Sequence, residues 1–171
     1  MKIPSRTIAA CAFLIALSVL LRRILTVPLP VGVLNFGGFP VILAGLLMGP
    51  WAGCLTGALS DVIGAVLFPR GPYVPFFTLT SMLTGAIPPV VVTLAGRKDG
   101  AGLPVIIFAV AVAQIVTKVV LFPVIMRLCF GYPLELSLAK ALIAESIHVP
   151  VYSVLALSIL KIRRDSYIRA S

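Results

Sequence analysis

Residues 103–127 read LPVIIFAVAVAQIVTKVVLFPVIMR, with Lys118 as the one charge before the closing Arg127. A helix that crosses the hydrocarbon core of a bilayer needs about 20 predominantly apolar residues. This stretch is long enough for one membrane span, and a helix on the surface of a soluble protein would carry a charged face. The stretch therefore indicates an integral membrane protein.

The rest of the chain has the same character. Of its 171 residues 60% are hydrophobic and 11% charged, with a mean hydropathy of +1.16. Apolar segments occupy residues 7–27, 35–49, 51–68, 76–95, 103–127 and 137–160, separated by stretches rich in proline and glycine. We predict an all-α membrane protein, a bundle of six transmembrane helices forming a single domain over residues 1–171. The second segment is short, so its helix is either little tilted or packed inside the protein.

The basic residues orient the bundle. Six spans place both termini on one side, and the larger basic set flanks that side, comprising Lys2, Arg6, Arg97, Lys98, Lys161, Arg163, Arg164 and Arg169. Cytoplasmic ends of membrane helices are enriched in lysine and arginine, so we predict cytoplasmic termini. The first segment has no small-residue cleavage site after it, which favours a retained helix over a signal peptide. The net charge of +9 then reflects anionic lipid headgroups and not nucleic acid.

The three cysteines, Cys11, Cys54 and Cys129, lie far apart in apolar runs. Their spacing matches no metal-ligand pattern. We expect buried free thiols that pack as small apolar side chains.

Three conspicuous ionisable residues lie deep inside predicted spans, where charge is costly and commonly functional. Counted from the nearest outer break at about 1.5 Å per residue, Asp61, Lys118 and Glu145 all lie roughly 11–14 Å deep. Two interpretations remain open. The residues form the polar floor of a ligand pocket, or Lys118 pairs with one of the carboxylates and holds the bundle together.

His148 follows Glu145 by one helical turn, so both side chains share a face. No second histidine exists and no cysteine spacing supports a metal site, so we expect no metal or other cofactor. A catalytic role would need a nucleophile with its base, or a metal cluster. The sequence contains neither pattern, so we expect no enzyme activity.

Arginines gather at the predicted outer mouth, where the charge bias expects few: Arg22, Arg23, Arg70 and Arg127. A guanidinium binds carboxylate or phosphate through two parallel hydrogen bonds. Contact with lipid headgroups is the alternative for some of them. On the first helix, Ala9, Ala12 and Ala16 form a stripe of small side chains that suits close packing of another helix, either within the bundle or from a partner subunit.

A set of motifs in fixed order fills the segment Phe36–Thr84: FP-x3-AGLL-x-GP over Phe39–Pro50, GAL-x-D over Gly57–Asp61, and LFP-x-GPY-x-P-x-FT over Leu67–Thr78. With these motifs the chain resembles the folate-family S components of energy-coupling-factor (ECF) transporters. The pair Ala12-x3-Ala16 and the sixth segment from Ala141 to Pro150 are also similar to that family.

The resemblance implies a subunit of the prokaryotic cell membrane that captures a vitamin, most readily folate, from outside. It would associate with an ECF transmembrane scaffold subunit and two ATPase subunits. This sequence has no phosphate-binding GxxxxGK[ST] loop, so ATP hydrolysis would belong to those partners.

The resemblance also implies roles for individual residues. Arg23 suits the glutamate tail of folate, while Asp61 and Glu145 suit the donor-rich edge of a pterin. Tyr73, Phe76 and Phe77 would stack on the ring or close the mouth, or else form an interfacial aromatic belt.

The fifth segment departs from the family, which commonly carries asparagines and an aromatic residue where this chain has Thr117-Lys118 and Phe122-Pro123. A lysine there implies a different or an additional anionic ligand. Alternatives therefore remain: an S component for another small anionic or heterocyclic nutrient, or an autonomous small transporter that uses the intramembrane charges as a relay. A membrane enzyme acting on lipid would require the catalytic pattern that the sequence lacks.

Overall fold

The computed structural model describes residues 5–24, 26–29, 32–69, 71–96 and 102–170. Its elements are α1 Ser5–Arg23, β1 Thr26–Leu29, β2 Gly32–Asn35, α2 Gly38–Met48, α3 Pro50–Leu67, α4 Pro75–Leu94, α5 Leu103–Gln114, a π-helical segment Ile115–Leu121, α6 Phe122–Phe130 and α7 Leu134–Ala170. The segment from α5 through α6 is one continuous helical rod, so six helical units correspond to the six apolar segments.

Four helices are long and apolar enough to cross a membrane, counting only the described residues: Pro50–Leu67, Pro75–Leu94, Leu103–Phe130 and Leu134–Ile162. The helical fold with candidate membrane spans is thereby confirmed, whereas six spans and cytoplasmic termini stay predictions. The short helix α2 is packed in the interior, as one of the two alternatives for the second segment predicted. Its residues Val41, Ile42 and Ala44 have no exposed surface.

Two antiparallel strands lie between α1 and α2 and form a hairpin, pairing Thr26 with Asn35 and Leu29 with Gly32. We predicted only a turn-rich break here. Prolines such as Pro28 and Pro30 argue against strands in a sequence, because proline cannot donate to a ladder. A strand at the edge of a two-stranded hairpin tolerates that missing donor.

Glycines bring helices α2, α3 and α4 into direct backbone contact. A Cβ placed on Gly53 would clash with the carbonyl oxygen of Gly85, and one placed on Gly45 would meet the same oxygen. One turn further along α3, a Cβ on Gly57 would clash with the carbonyl oxygen of Ser81. Helices in lipid associate through close packing, because lipid is as apolar as their side chains. These contacts fix α3 against α4, which carry Asp61 and Thr78.

A proline explains the π-helical segment. Pro123 has no backbone N–H and its ring crowds the preceding turn, which favours a wider winding just before it. The backbone N–H of Phe122 bonds instead to the carbonyl oxygen of Thr117, five residues earlier. In lipid every backbone group must find a partner within the protein, and the wider turn achieves this.

The three cysteines are free thiols, as predicted. Cys11 and Cys54 are half-buried, but Cys129 is exposed, so the expectation that all three are buried is wrong for Cys129. Its position in an apolar segment reflects a surface that faces lipid, where an apolar side chain does not need burial.

Candidate functional site

A cavity of about 570 Å³ opens between the helices, within the size range of small-molecule sites. Every helix of the described chain contributes to its wall. The polar side chains fall into three groups: one between α1, α3 and α4, one on α7 facing the π-helical segment, and one at the junction of α6 and α7.

The first group is an ion-pair network around Asp61. One Asp61 carboxylate oxygen accepts a hydrogen bond from Arg22 Nη1 at 2.8 Å, and the other accepts one from Thr78 Oγ1 at 2.8 Å. Arg22 also donates to Ser81 Oγ at 3.2 Å, and Tyr73 OH lies 2.7 Å from Thr78 Oγ1. Both Asp61 oxygens are therefore bonded within the protein, and the network links three helices.

The second group stands on α7. Glu145 Oε1 lies 3.2 Å from His148 Nδ1, and the His148 ring stacks on Tyr152 with 5.1 Å between ring centres. Both side chains of the Glu145–His148 pair are 9% exposed. Glu145 Oε2 and His148 Nε2 are buried and have no hydrogen-bond partner within the described protein. A buried carboxylate oxygen without a donor is costly, and it belongs to a residue that lines the cavity.

The facing wall comes from the rod that contains the π-helical segment. Gln114, Lys118, Phe122 and Met126 line the cavity at a constant spacing of four residues. On an α-helix a spacing of four drifts by about 40° per step around the axis. The wider π-helical winding counteracts this drift and keeps the four side chains on one face. Gln114 is 1% exposed, and its Oε1 is a second buried acceptor without a partner in the described structure.

The third group lies where α7 begins. Lys140 Nζ donates a hydrogen bond of 2.7 Å to Tyr132 OH and lies 5.2 Å from the centre of the Tyr132 ring. Ser137, one turn before Lys140, lines the same cavity. Phe77 adds an aromatic wall, with its ring centre 5.3 Å from that of Phe122.

Most of the charged side chains that line the cavity are positive. The cations Arg22, Arg23, Lys118 and Lys140 face the carboxylates Asp61 and Glu145, which leaves two positive charges in excess. Lys118 makes no ion pair or hydrogen bond with any residue of the described ranges. The alternative in which Lys118 pairs with Asp61 or Glu145 is therefore wrong: Arg22 occupies Asp61, and His148 lies against Glu145.

Six of the eight residues predicted to bind ligand line this cavity: Arg23, Asp61, Phe77, Lys118, Glu145 and His148. Tyr73 is half exposed and reaches the site only through its contact with Thr78. Arg70 lies outside the described residues. Arg127 is exposed and does not line the cavity, and Phe76 is exposed.

Several residues that line the cavity were not among the predicted ligand-binding residues: Arg22, Ser81, Gln114, Ser137, Lys140 and Tyr152. Arg22 could have been predicted as a lining residue, because it is adjacent to Arg23 and was grouped with it among the arginines of the outer mouth. Lys140 could have been found as a charge inside the sixth apolar segment, 137–160. The hydroxyl and amide groups carried no signal, because such residues are ordinary in membrane helices.

The predicted docking stripe faces away from the bundle. Ala9, Ala12 and Ala16 are all exposed on α1, whereas Leu14 and Val19 on the other side of the helix are 6% exposed. The stripe thus takes no part in internal packing, and its surface is open to lipid or to another protein.

Comparison with known proteins gives the family. The family model described as ECF-type riboflavin transporter, S component, matches residues 2–164. The chain belongs to this family of S components. The resemblance drawn from the motifs around Asp61 is therefore confirmed at the level of the family, which is one of transporter components and not of enzymes.

Individual relatives refine the comparison. The S component is 26% identical over 143 residues to the folate transporter FolT of Clostridium novyi (strain NT), an alignment that covers 84% of this chain and 81% of the relative. A crystal structure of FolT bound with folic acid superposes with a TM-score of 0.76 at 26% identity, covering 92% of this chain and 98% of the other. A second solved structure, that of the S component of a bacterial ECF transporter, superposes with a TM-score of 0.66 at 20% identity. The superposition covers 96% of this chain and 98% of the other chain, and it shows that the two share a fold.

Proposed function

We propose that this S component binds folate, or a closely related pterin with an acidic tail, from outside the cell membrane. It delivers that ligand through an ECF transmembrane scaffold subunit and two ATPase subunits. The bundle then has six spans with cytoplasmic termini, and the cavity opens outward. The chain itself has no ATP-binding loop, so the energy comes from the partner subunits.

One observation carries the choice of ligand: residues with buried, unpartnered acceptors line a cavity that has excess positive charge. Gln114 Oε1 and Glu145 Oε2 require donors, and the amino and ring N–H groups of a pterin edge supply two adjacent ones. The two excess positive charges match the two carboxylates of a glutamate tail. Arg23 and Lys118 would meet carboxylate or ring oxygens, and Phe77 would pack on an aromatic part of the ligand.

Riboflavin is the second candidate, because the family description names it. It is uncharged at neutral pH and would leave the excess positive charge of the cavity lining without a counter-charge. The similarity to the FolT sequence of Clostridium novyi and to the FolT crystal structure with folic acid supports folate over riboflavin.

The ligand is tested by calorimetric titration of the detergent-solubilised S component with folic acid and with riboflavin, after mass spectrometry of any small molecule that co-purifies. Saturable one-to-one binding of folic acid with no heat from riboflavin is the expected result. Binding of riboflavin alone would reverse the choice. A co-purified compound of neither class would identify another nutrient and overturn both.

The exposed stripe of Ala9, Ala12 and Ala16 supports docking to the scaffold subunit, because small side chains let a partner helix approach closely. Delivery is tested by uptake of labelled folate in cells that carry this S component with or without the scaffold and ATPase subunits. Uptake should require all of them. Robust uptake by the S component alone would favour an autonomous transporter.

A further inference from the structure

The junction of α6 and α7 places three hydrogen-bond donors around one corner of the cavity. Tyr132 lies in the connection between the helices, and Ser137 and Lys140 lie three residues apart near the start of α7. All three line the cavity. From this arrangement we propose that Tyr132, Ser137 and Lys140 form a second anion subsite, which binds the terminal carboxylate of an acidic ligand and selects for it. The inference rests on the proposed function, because it assigns the ligand's second negative charge.

The geometry of Lys140 suits an anion. Its Nζ donates to Tyr132 OH at 2.7 Å, and this hydrogen bond holds the ammonium at the corner of the cavity. A lysine ammonium has three N–H donors, which leaves two for a ligand. No carboxylate of the described ranges lies within ion-pair distance of Lys140. The charge of Lys140 is therefore positioned but not neutralised.

Tyr132 and Ser137 supply further donors. Since Tyr132 OH accepts the bond from Lys140, its own hydrogen is available for an acceptor. Ser137 is 5% exposed, and its Oγ has no hydrogen-bond partner in the part of the chain that the structure describes. The two remaining N–H groups of Lys140 and the hydroxyls of Tyr132 and Ser137 thus offer donors that no protein acceptor of the described ranges occupies, the pattern of a carboxylate or phosphate site. The start of α7 adds its partial positive charge at the same end of the helix.

Position along α7 assigns this corner to the tail of the ligand. Lys140 precedes Glu145 by five residues and His148 by eight, so it lies about 7.5 Å and 12 Å from them along the helix axis. A heterocycle bonded to Glu145 would extend its tail past Lys140 on its way to the mouth. Arg23, on α1, then binds the other carboxylate, and the two acids of one ligand occupy separate subsites.

The test compares folic acid with pteroic acid, which has the same ring and linker but lacks the glutamate. Both are titrated calorimetrically into the wild-type protein, into Lys140→Gln and into a matched control, Arg127→Gln. Arg127 is an exposed cation at the end of α6 that does not line the cavity. Lys140→Gln should weaken folic acid binding by about ten- to a hundredfold and change pteroic acid binding less than about twofold. Arg127→Gln should change neither affinity, and Tyr132→Phe should produce a smaller loss for folic acid alone.

Equal weakening of both pterins in Lys140→Gln would mean that Lys140 contacts their common part, and unchanged folic acid binding would mean that it contacts no ligand. Either result overturns the subsite. If the wild-type protein binds neither pterin, the proposed function fails separately, and riboflavin and its 5′-phosphate become the probes. If the wild-type protein binds the 5′-phosphate more tightly than riboflavin and Lys140→Gln removes this preference, the subsite is still supported. Any other result with riboflavin and its 5′-phosphate would overturn it. Lys140→Arg, which keeps the charge, should retain most of the preference and separates loss of charge from loss of folding.

Discussion

The substitution Glu145→Gln separates the cost of a buried charge from its use in binding. Glutamine has nearly the same shape, so the packing around the 9%-exposed side chain is preserved. Glu145 Oε2 is buried without a donor, and a ligand N–H would supply one. Hydrogen bonds to a charged group contribute about 1.5–3 kcal/mol, so the dissociation constant for folic acid should rise about 10- to 150-fold.

The stability of the ligand-free protein should change in the opposite direction. A carboxylate within a membrane span costs a few kcal/mol that a neutral amide avoids. Glu145→Gln should therefore unfold at the same temperature as the wild type or at a higher one. Glu135→Gln is the matched control, because Glu135 is exposed in the first turn of the same helix and does not line the cavity.

The assay pairs calorimetric titration with thermal unfolding of the detergent-solubilised, ligand-free protein. Wild-type affinity for folic acid in Glu145→Gln would refute the role of this carboxylate as a ligand acceptor. A lowered unfolding temperature together with weaker binding would also refute the reasoning, since Glu145 would then be a structural residue of the bundle.

Three further substitutions test the scaffold and the docking surface. Asp61→Asn should lower the stability by about 3 kcal/mol, measured by denaturant unfolding in mild detergent, because it leaves Arg22 without its carboxylate inside the bundle. Gly53→Ala should cost about 1–3 kcal/mol and lower the unfolding temperature, because the new methyl group would meet the backbone carbonyl oxygen of Gly85. Ala12→Leu should preserve folic acid binding but prevent co-purification with the scaffold and ATPase subunits, because it blocks close approach of a partner helix.

Each of these has a control within the chain. The double substitution of Arg22→Gln with Asp61→Asn should recover much of the lost stability, and no recovery would contradict the ion-pair argument. Gly102→Ala should be near neutral, because its new Cβ lies 3.6 Å from Pro104 Cδ. Ala10→Leu, also exposed but off the stripe, should leave assembly intact. If Ala12→Leu assembles equally well, the docking surface lies elsewhere.

The floor of the site was predictable because charge inside a membrane is costly. Helical rise placed Asp61, Lys118 and Glu145 at one depth, and the structure brings them to one cavity. Their pairing was not predictable from depth. Arg22 and Arg23 are adjacent, and only the packing of α1 against α3 decides that Arg22 reaches Asp61.

The rest of the site depends on features that carry weak local signals. Gln114 and Ser137 become important through burial without a partner, which only the packed structure defines. The Phe122-Pro123 dipeptide was interpreted as a difference in side chains, although its main effect is on the winding of the backbone. The hairpin that pairs Thr26 with Asn35 was not predicted, because proline is unfavourable in most strands. An edge strand can contain proline, since not all of its backbone N–H groups are needed for pairing.

The helical rod that contains the π-helical segment has two faces, one exposed and one that lines the cavity, and different requirements act on the residues of each face. Val116, Val120 and Val124 are exposed on the outer side and need only remain apolar. Gln114, Lys118, Phe122 and Met126 alternate with them at intervals of four and face the ligand. Substitutions in the second set can change what is recognised without disturbing insertion, so relatives with different nutrients can share one lipid-facing surface. Because of the wide turn, the ligand specificity of this span can evolve without changing its insertion into the membrane.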